Sequence, residues 1–348
     1  MPGWVQTSQT ALEVNQYATP RWRSRFSCVV GQLAPVPSMP HSSPDSASIS
    51  SPELAFGTPR KLPKPKALRG RVVVLDIAFA GMGGGGFEKI TKPFIVGLGE
   101  RLVGWVDHHD HELHAEYRKD PRFVLATKAE HGACPEMIDP ELVRRIGPVD
   151  TIVCHTDFDG LASAAKWARG GVEPYPGCDL DAHAIDTRIG KPSEAAERID
   201  RALRARPRDT GLFGLIVRHL IGGLSDKQLW TTIDEAAREL IPIEKETRRA
   251  ALGYVRYAPG VAIVDITTGF RAVDKTLLLL MGQQREPVSI VLDSMSVSVA
   301  AAYDSGYNFL ELFGLQGGMP TRVSVQRNQL EMVLKALGVD SAVVHDFE

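Results

Sequence analysis

The sequence predicts an α/β fold: a parallel sheet with helices on both faces, followed by a smaller C-terminal α/β domain. Continuous apolar runs, which are typical of strands buried on both faces, alternate with segments of helical period. Several of these runs lead directly into carboxylates or histidines, and the carboxyl ends of parallel strands meet at one edge of a sheet. With 348 residues, 43% of them hydrophobic and 24% charged, the chain is long enough for two domains.

Charge, cysteine content and hydropathy exclude several classes of protein. The net charge of −2 argues against a surface that binds long duplex DNA. The four cysteines form no CxxC pair, which indicates free thiols in a reducing compartment and no disulfides. No apolar run reaches the roughly 18 residues that span a bilayer. We therefore predict a cytoplasmic protein that contacts no membrane.

Residues 1–67 are predicted to form a disordered tail. They contain ten of the chain's 23 prolines, many serines and no sustained hydrophobic period. The tail lacks the apolar core of a secretory signal, so export is not predicted. A weak organelle-targeting signal around Arg21–Arg25 and an over-extended start site are the alternatives that the composition leaves open.

The first predicted strand, Arg71–Asp76, ends in a carboxylate. Asp76 would lie at the carboxyl end of a buried strand, where ligand sites form in open parallel sheets. The glycine-rich segment Gly81–Gly86 formally satisfies GxGxxG, but Pro93 argues against the helix that a dinucleotide site requires directly afterwards. We interpret this segment as a mobile loop beside the site.

A second predicted strand, which begins near residue 101, ends at Asp107 and leads into a histidine-rich segment. Imidazoles bind divalent ions, and a neighbouring carboxylate can fix the tautomer and orientation of the ring. Asp107, His108 and His109 are therefore candidate site residues. We interpret His111 and His114 as solvated.

The third candidate cluster follows a predicted strand that begins at residue 151. His155, Asp157 and Asp159 alternate with other residues, so extended geometry would project all three from one side. Two neighbouring carboxylates repel each other unless one is protonated or a divalent ion lies between them. The mixture of oxygen and imidazole ligands suits manganese, iron or zinc. The alternative is that these are three solvated residues of a loop.

The rest of the chain continues the alternation of strands and helices. Further segments of helical period cover residues 131–145, 161–168, 193–205, 211–222, 225–240 and 273–281. Further strands are predicted at Asp179–Asp186, Val261–Ile266 and Val288–Asp293. Residues 241–249 are predicted to be a charged connector, and a second α/β domain is predicted to begin near residue 250.

Three motifs taken together resemble the DHH phosphoesterase superfamily. They are Asp76, the triplet Asp107-His108-His109 that gives the family its name, and His155-x-Asp157-x-Asp159-Gly160. The resemblance covers residues 68–340 and extends through Gly314–Arg322 to the DHH-associated domain. It implies a metal-binding catalytic domain over residues 68–245 and a substrate-binding domain over residues 250–348.

The sequence departs from the family's pattern at two points. Family members usually place the Asp-x-Asp motif before the lone aspartate and the triplet, whereas here it follows them, which resembles a circular permutation. Met319 stands where the family's glycine-rich motif usually carries a histidine. The permuted order makes the last aspartate ligand hard to place: Asp186 is preferred, and Asp209 is the alternative.

The resemblance implies a site with two divalent ions about 3.5–4 Å apart, either manganese or, as alternatives, Mg²⁺ or another divalent metal. The implied metal ligands are Asp76, His108, His155, Asp157, Asp159 and Asp186. His109 would act on the substrate phosphate, and Asp107 would orient the histidines. Gly317, Gly318 and Arg322 would hold a second phosphate or a nucleotide end.

We therefore predict an enzyme, a metal-dependent phosphoesterase that hydrolyses a phosphodiester or phosphomonoester of a small nucleotide or short oligonucleotide by a two-metal mechanism. Cyclic dinucleotides, bisphosphorylated nucleotides and polyphosphate are all substrates of suitable size, and the near-neutral charge favours small substrates over long nucleic acid. The alternative is a catalytically silent nucleotide-binding or regulatory module of the same fold. A homodimer is left open.

Overall fold

The computed structural model describes residues 51–81, 85–340, 342–343 and 347. Its strands are β1 (Glu53–Phe56), β2 (Val72–Leu75), β3 (Leu102–Asp107), β4 (Asp110–His111), β5 (Phe123–Leu125), β6 (Thr151–Cys154), β7 (Val255–Ala258), β8 (Val261–Asp265), β9 (Val288–Leu292), β10 (Ser296–Ala300), β11 (Gly317–Gly318) and β12 (Arg322–Gln326). Its α-helices are α1 (Thr91–Leu98), α2 (His114–Tyr117), α3 (Pro140–Ile146), α4 (Phe158–Ala168), α5 (Cys178–Thr187), α6 (Glu194–Ala205), α7 (Thr210–Ile221), α8 (Lys227–Arg238), α9 (Leu240–Ala251), α10 (Lys275–Gln283), α11 (Phe309–Phe313) and α12 (Leu330–Ala336).

The first sheet has five parallel strands in the order β1-β6-β2-β3-β5. Alternate residues of β2 point to opposite faces. Val73 and Leu75 pack in a core that includes α4 to α8, whereas Val72 and Val74 pack in a second core that includes Phe94 of α1. Helices therefore cover both faces of a parallel sheet, which confirms the predicted fold class.

Strand β1 corrects the predicted end of the tail at residue 67. Glu53–Phe56 pairs in parallel with β6 at the edge of the sheet. Phe56 packs against the first core, and its ring lies 5.3 Å from that of Phe213. The high proline content around this segment concealed a strand, because an edge strand needs only one hydrogen-bonded neighbour. The rest of the predicted tail, residues 1–50, lies outside the described residues.

The second sheet has the order β12-β10-β9-β8-β7, with β8 and β9 parallel and the other pairs antiparallel. One of its faces packs on α9 and α10, and the other packs on α11 and α12. The predicted charged connector at 241–249 is wrong, since these residues belong to helix α9. The charged residues of α9 lie mostly on its outer face, while Thr247, Ala250 and Ala251 are buried.

Two other predicted elements differ from the structure. The predicted helix over 131–145 is divided into a short 3₁₀ turn, Cys134–Met137, and α3, because Pro140 starts a new helix after the N-cap Asp139. The predicted strand Asp179–Asp186 is wrong, because this segment forms α5. Its buried apolar residues recur at helical spacing.

Cysteine and membrane predictions can be compared with the described part of the chain. Cys134, Cys154 and Cys178 are free and buried, as predicted, and Cys28 lies outside the described residues. Within the described ranges, no helix has both the length and the apolar character needed to cross a bilayer.

Candidate metal centre

Three neighbouring strands bring the candidate side chains to one edge of the first sheet. β6, β2 and β3 lie side by side and run in the same direction. Their carboxyl ends lead into His155, Asp76 and Asp107, respectively, so residues from three distant segments of the chain meet there.

Asp76 lies at the centre of this edge in a strained and electrostatically unfavourable position. Its backbone has a φ of 57°, in the left-handed region that non-glycine residues rarely adopt. Both side-chain oxygens are buried and have no hydrogen-bond partner among the described residues, although Nε2 of His108 lies 3.2 Å from Oδ1. Burial, together with the carboxylates of Asp159 and Asp157, raises the pKa of Asp76 well above its usual value.

Asp76, His155 and Asp157 form the first group that could hold a metal ion, with one ligand atom of each residue within 4.8 Å of the others. Nδ1 of His155 lies 2.7 Å from Oδ2 of Asp157 and 3.7 Å from Oδ2 of Asp76. Asp157 does not continue the strand, as the period of two predicted. It is the N-cap of α4 and accepts the N–H of Gly160 at 3.1 Å.

His108, Asp159 and Asp186 form the second such group. Nδ1 of His108 lies 3.0 Å from the carbonyl of His131, an acceptor to which a neutral ring donates its N–H. Nε2 then carries the lone pair, and it lies 3.3 Å from Asp159 and 3.7 Å from Asp186. Asp159, in the first turn of α4, also accepts the N–H of Cys134 at 3.0 Å.

The structure also separates the two alternatives for the last aspartate. Asp186 projects from α5 toward His108, although its segment is helical and not the predicted strand. Asp209 is the N-cap of α7 and accepts the N–H of Leu212 at 3.0 Å. Asp209 therefore has a structural role that accounts for it.

Sequence reasoning missed Lys128, whose side chain is buried within the second group. Its Nζ lies 3.0 Å from Nε2 of His108 and forms an ion pair with Asp186. Burial alone would lower the pKa of Lys128, but the carboxylates of Asp186 and Asp159 raise it, so the ammonium stays charged. The available signal was its position three residues after the short apolar run of β5, which we did not interpret as a strand.

His109 faces a cleft and is held by Asp107. Nδ1 of His109 lies 2.8 Å from Oδ1 of the fully buried Asp107. Burial lowers the pKa of His109 despite this carboxylate, so the ring is neutral near pH 7 with its Nε2 free. His111 and His114 are not solvated, as predicted, but buried against Phe79 at ring distances of 5.5 and 5.2 Å.

The glycine-rich segment of the C-terminal domain closes over the cleft beside His109. β11 pairs antiparallel with β4, which begins one residue after His109. The cleft, of about 560 Å³, is lined by His109, Gly317, Gly318, Met319 and Arg322 together with residues of β12. A second cavity of about 200 Å³ is lined by Asp186 and also by Arg322. Arg322 thus connects the metal centre with the cleft.

Gly317→Ala is expected to destabilise this closure. A Cβ at Gly317 would lie 2.4 Å from the ring of His111 and 2.7 Å from the backbone oxygen of Asp110, so the two strands would have to separate. We expect a loss of about 1–3 kcal/mol of unfolding free energy. Gly214→Ala in α7 is the matched control, because nothing lies within 4 Å of its Cβ. Equal melting temperatures for the two variants would contradict the expected effect.

The residues of both groups fit a divalent ion. The unpaired, buried oxygens of Asp76 lack the hydrogen-bond partners that a structural carboxylate would have. Carboxylates together with imidazoles suit manganese, iron or zinc. Cys134 also lies near Asp76 and Asp159, but burial raises the pKa of its thiol well above the usual value, and its Sγ–H donates to the carbonyl of Val106. The thiol is therefore protonated and structural.

Metal binding at the first group is expected to be coupled to pH. Burial alone would lower the pKa of His155, but Asp157 raises it to about 9 in the metal-free protein. A metal ion that binds Nδ1 must displace this proton, so affinity should rise about tenfold per pH unit and level off above pH 9. Calorimetric titration with Mn²⁺ at pH 6.5–8.5 in buffers of different ionisation enthalpy would detect at least one released proton. Affinity independent of pH would contradict the predicted coupling.

Comparison with known proteins gives two weak structural likenesses. One is the pGpG-specific phosphodiesterase PggH from Vibrio cholerae, with 13% identity, 77% of this chain and 97% of that chain covered, and a TM-score of 0.36. The other is the exonuclease RecJ bound to manganese, with 12% identity, coverage of 78% and 77%, and a TM-score of 0.40. No family model and no curated protein matches the sequence.

Proposed function

We propose that the chain is a divalent-metal-dependent phosphoesterase that hydrolyses a small nucleotide or a short oligonucleotide. The observation that carries this proposal is the buried, unpaired carboxylate of Asp76, which is shared between two groups of potential metal ligands. Such an arrangement is electrostatically costly without a bound cation. It lies beside an open cleft with a neutral histidine, where a substrate can reach it.

Manganese is the ion we propose, bound by Asp76, His155 and Asp157, and when bound it would polarise a phosphoryl oxygen and lower the pKa of an attacking water. Asp157 keeps its position because it also caps α4. His109 exchanges a proton with the reacting oxygens through its free Nε2. Asp107 fixes the tautomer and orientation of that ring.

Charge and size of the cleft support a small phosphorylated substrate. The volume of about 560 Å³ is within the range of pockets for compact ligands. Arg322 is exposed, lines both cavities and donates to Thr276 at 2.7 Å, so its guanidinium is positioned to bind a second phosphate. We propose a substrate that carries a phosphate beyond the one that is cleaved, such as a dinucleotide or a bisphosphorylated nucleotide.

A catalytically silent nucleotide-binding module is the second candidate. It is favoured by Met319, which lines both cavities where the resembled family usually has a histidine. A methionine can contact a base or sugar but cannot donate a proton or a hydrogen bond to a phosphate.

The two candidates differ in turnover. The purified chain would be incubated with Mn²⁺, Mg²⁺ or EDTA and a linear dinucleotide, a bisphosphorylated nucleotide or a short oligonucleotide, and the products would be separated by chromatography. The phosphoesterase predicts hydrolysis that requires the divalent ion and stops with EDTA. Nucleotide binding by calorimetry, without hydrolysis of any of these substrates, would instead favour the silent module.

A further inference from the structure

We propose that the Lys128 ammonium takes the place of a divalent cation in the group His108, Asp159 and Asp186, so that each chain binds one divalent ion. This inference rests on the metal-dependent function proposed above, since it concerns the same centre. The one ion would then lie at Asp76, His155 and Asp157.

Electrostatics gives the first reason. The carboxylates of Asp159 and Asp186 lie close together in a buried region, and both are close to the equally buried Asp76. Such a concentration of negative charge needs a cation. The ammonium of Lys128 supplies one, with its Nζ in an ion pair with Asp186.

Ligand atoms give the second reason. The Nε2 lone pair of His108 is directed at Nζ of Lys128 at 3.0 Å, and Oδ2 of Asp186 accepts from the same ammonium. A metal ion in this group would have to bind these same two atoms. A divalent ion and the ammonium therefore compete for one position.

Lys128 is fixed in this position by its backbone as well as by its side chain. Its N–H donates to Oδ2 of Asp110 at 3.2 Å, and its carbonyl accepts from the hydroxyl of Tyr303 in the C-terminal domain. Only 2% of its side chain is exposed. A surface lysine could swing into solvent when a metal ion arrives, whereas Lys128 has contacts on all sides.

The first group has no such internal cation. Among the described residues, the ion pairs of Asp76 and Asp157 involve only histidines. Histidines can lose a proton and ligate a metal ion, whereas a buried ammonium within an acidic cluster keeps its charge. The two groups thus differ in the atom that neutralises them.

Metal stoichiometry tests the inference without any measurement of activity. The metal-free full chain would be dialysed to equilibrium against saturating Mn²⁺, and bound manganese per chain would be measured by elemental analysis. We expect one ion per chain in the unmodified protein and two in Lys128→Met, which removes the charge but keeps the length of the side chain. Lys166→Met is the matched control, because Lys166 is also buried and paired with an aspartate, Asp179, outside the centre. It should bind one ion.

Each outcome decides. Two ions in the unmodified chain would overturn the role of Lys128 while leaving the metal-dependent function intact. No bound ion would remove both proposals. If Lys128→Met does not fold, Asp157→Asn, which keeps a residue that caps α4, replaces it: loss of the ion with about a tenfold or greater weakening supports its place in the first group. Retention of a tightly bound ion in Asp157→Asn would overturn the inference.

Discussion

Asp76→Asn is expected to abolish manganese binding and to lower phosphoester hydrolysis by about 10³-fold or more. The loss of a Lewis acid costs several kcal/mol of transition-state stabilisation, and each 1.4 kcal/mol is about tenfold in rate. Asp76 belongs to most of the groups of potential ligands in the described chain, so no neighbouring carboxylate can replace it. Manganese titration and initial rates with a dinucleotide substrate measure the two effects.

The same substitution should leave the metal-free fold intact or stabilise it. Asparagine tolerates the left-handed backbone of Asp76 and removes its repulsion with Asp159 and Asp157. Asp76→Ala should instead lose about 1–2 kcal/mol, because alanine does not tolerate that backbone. Asp209→Asn is the matched control and should change neither binding nor rate. Undiminished manganese-dependent hydrolysis by Asp76→Asn would refute the proposed centre.

His109→Ala is expected to lower turnover by about 10²–10⁴-fold while manganese affinity stays within about twofold. The reason is that Nε2 of His109 faces the cleft while its Nδ1 is held by Asp107. Single-turnover rates at saturating substrate, together with a manganese titration of each variant, separate a loss of chemistry from a loss of metal.

His183→Ala is the matched control for this variant. His183 forms a similar pair, with Nδ1 2.6 Å from Oε1 of Glu136, but it lines neither the cleft nor either metal group. It should retain full turnover. A large fall in manganese affinity in His109→Ala would show that His109 is itself a ligand, as its proximity to Asp76 and His108 permits geometrically, and the proposed role would be wrong.

The sequence predicted best where chemistry and strand periodicity coincide. Asp76, Asp107 and His155 each adjoin an apolar strand, and parallel strands placed them at one edge without further information. The parallel sheet and the helices on both of its faces follow from the same pattern. Contacts of this kind are fixed by the direction of a strand, which a single sequence reveals.

What the sequence could not predict depends on tertiary packing. Asp186 reaches the centre from a helix, and its contact with His108 depends on how α5 packs against α4. Lys128 follows a strand of only three residues, too short for a clear period, and its burial is decided by Tyr303, which is far away in the chain. β1 lies in a proline-rich context that favours disorder by composition. In each case the decisive partner is distant in sequence.

The left-handed backbone of Asp76 has a consequence for how such a site can be lost during evolution. Any aspartate codon is one nucleotide from asparagine and one from glycine, which are the residues that adopt this conformation with least strain. A single base change can therefore remove the carboxylate without a penalty in folding. Selection for a stable chain would not retain it, so an aspartate that persists at this position in descendants of the gene would record selection on the site itself.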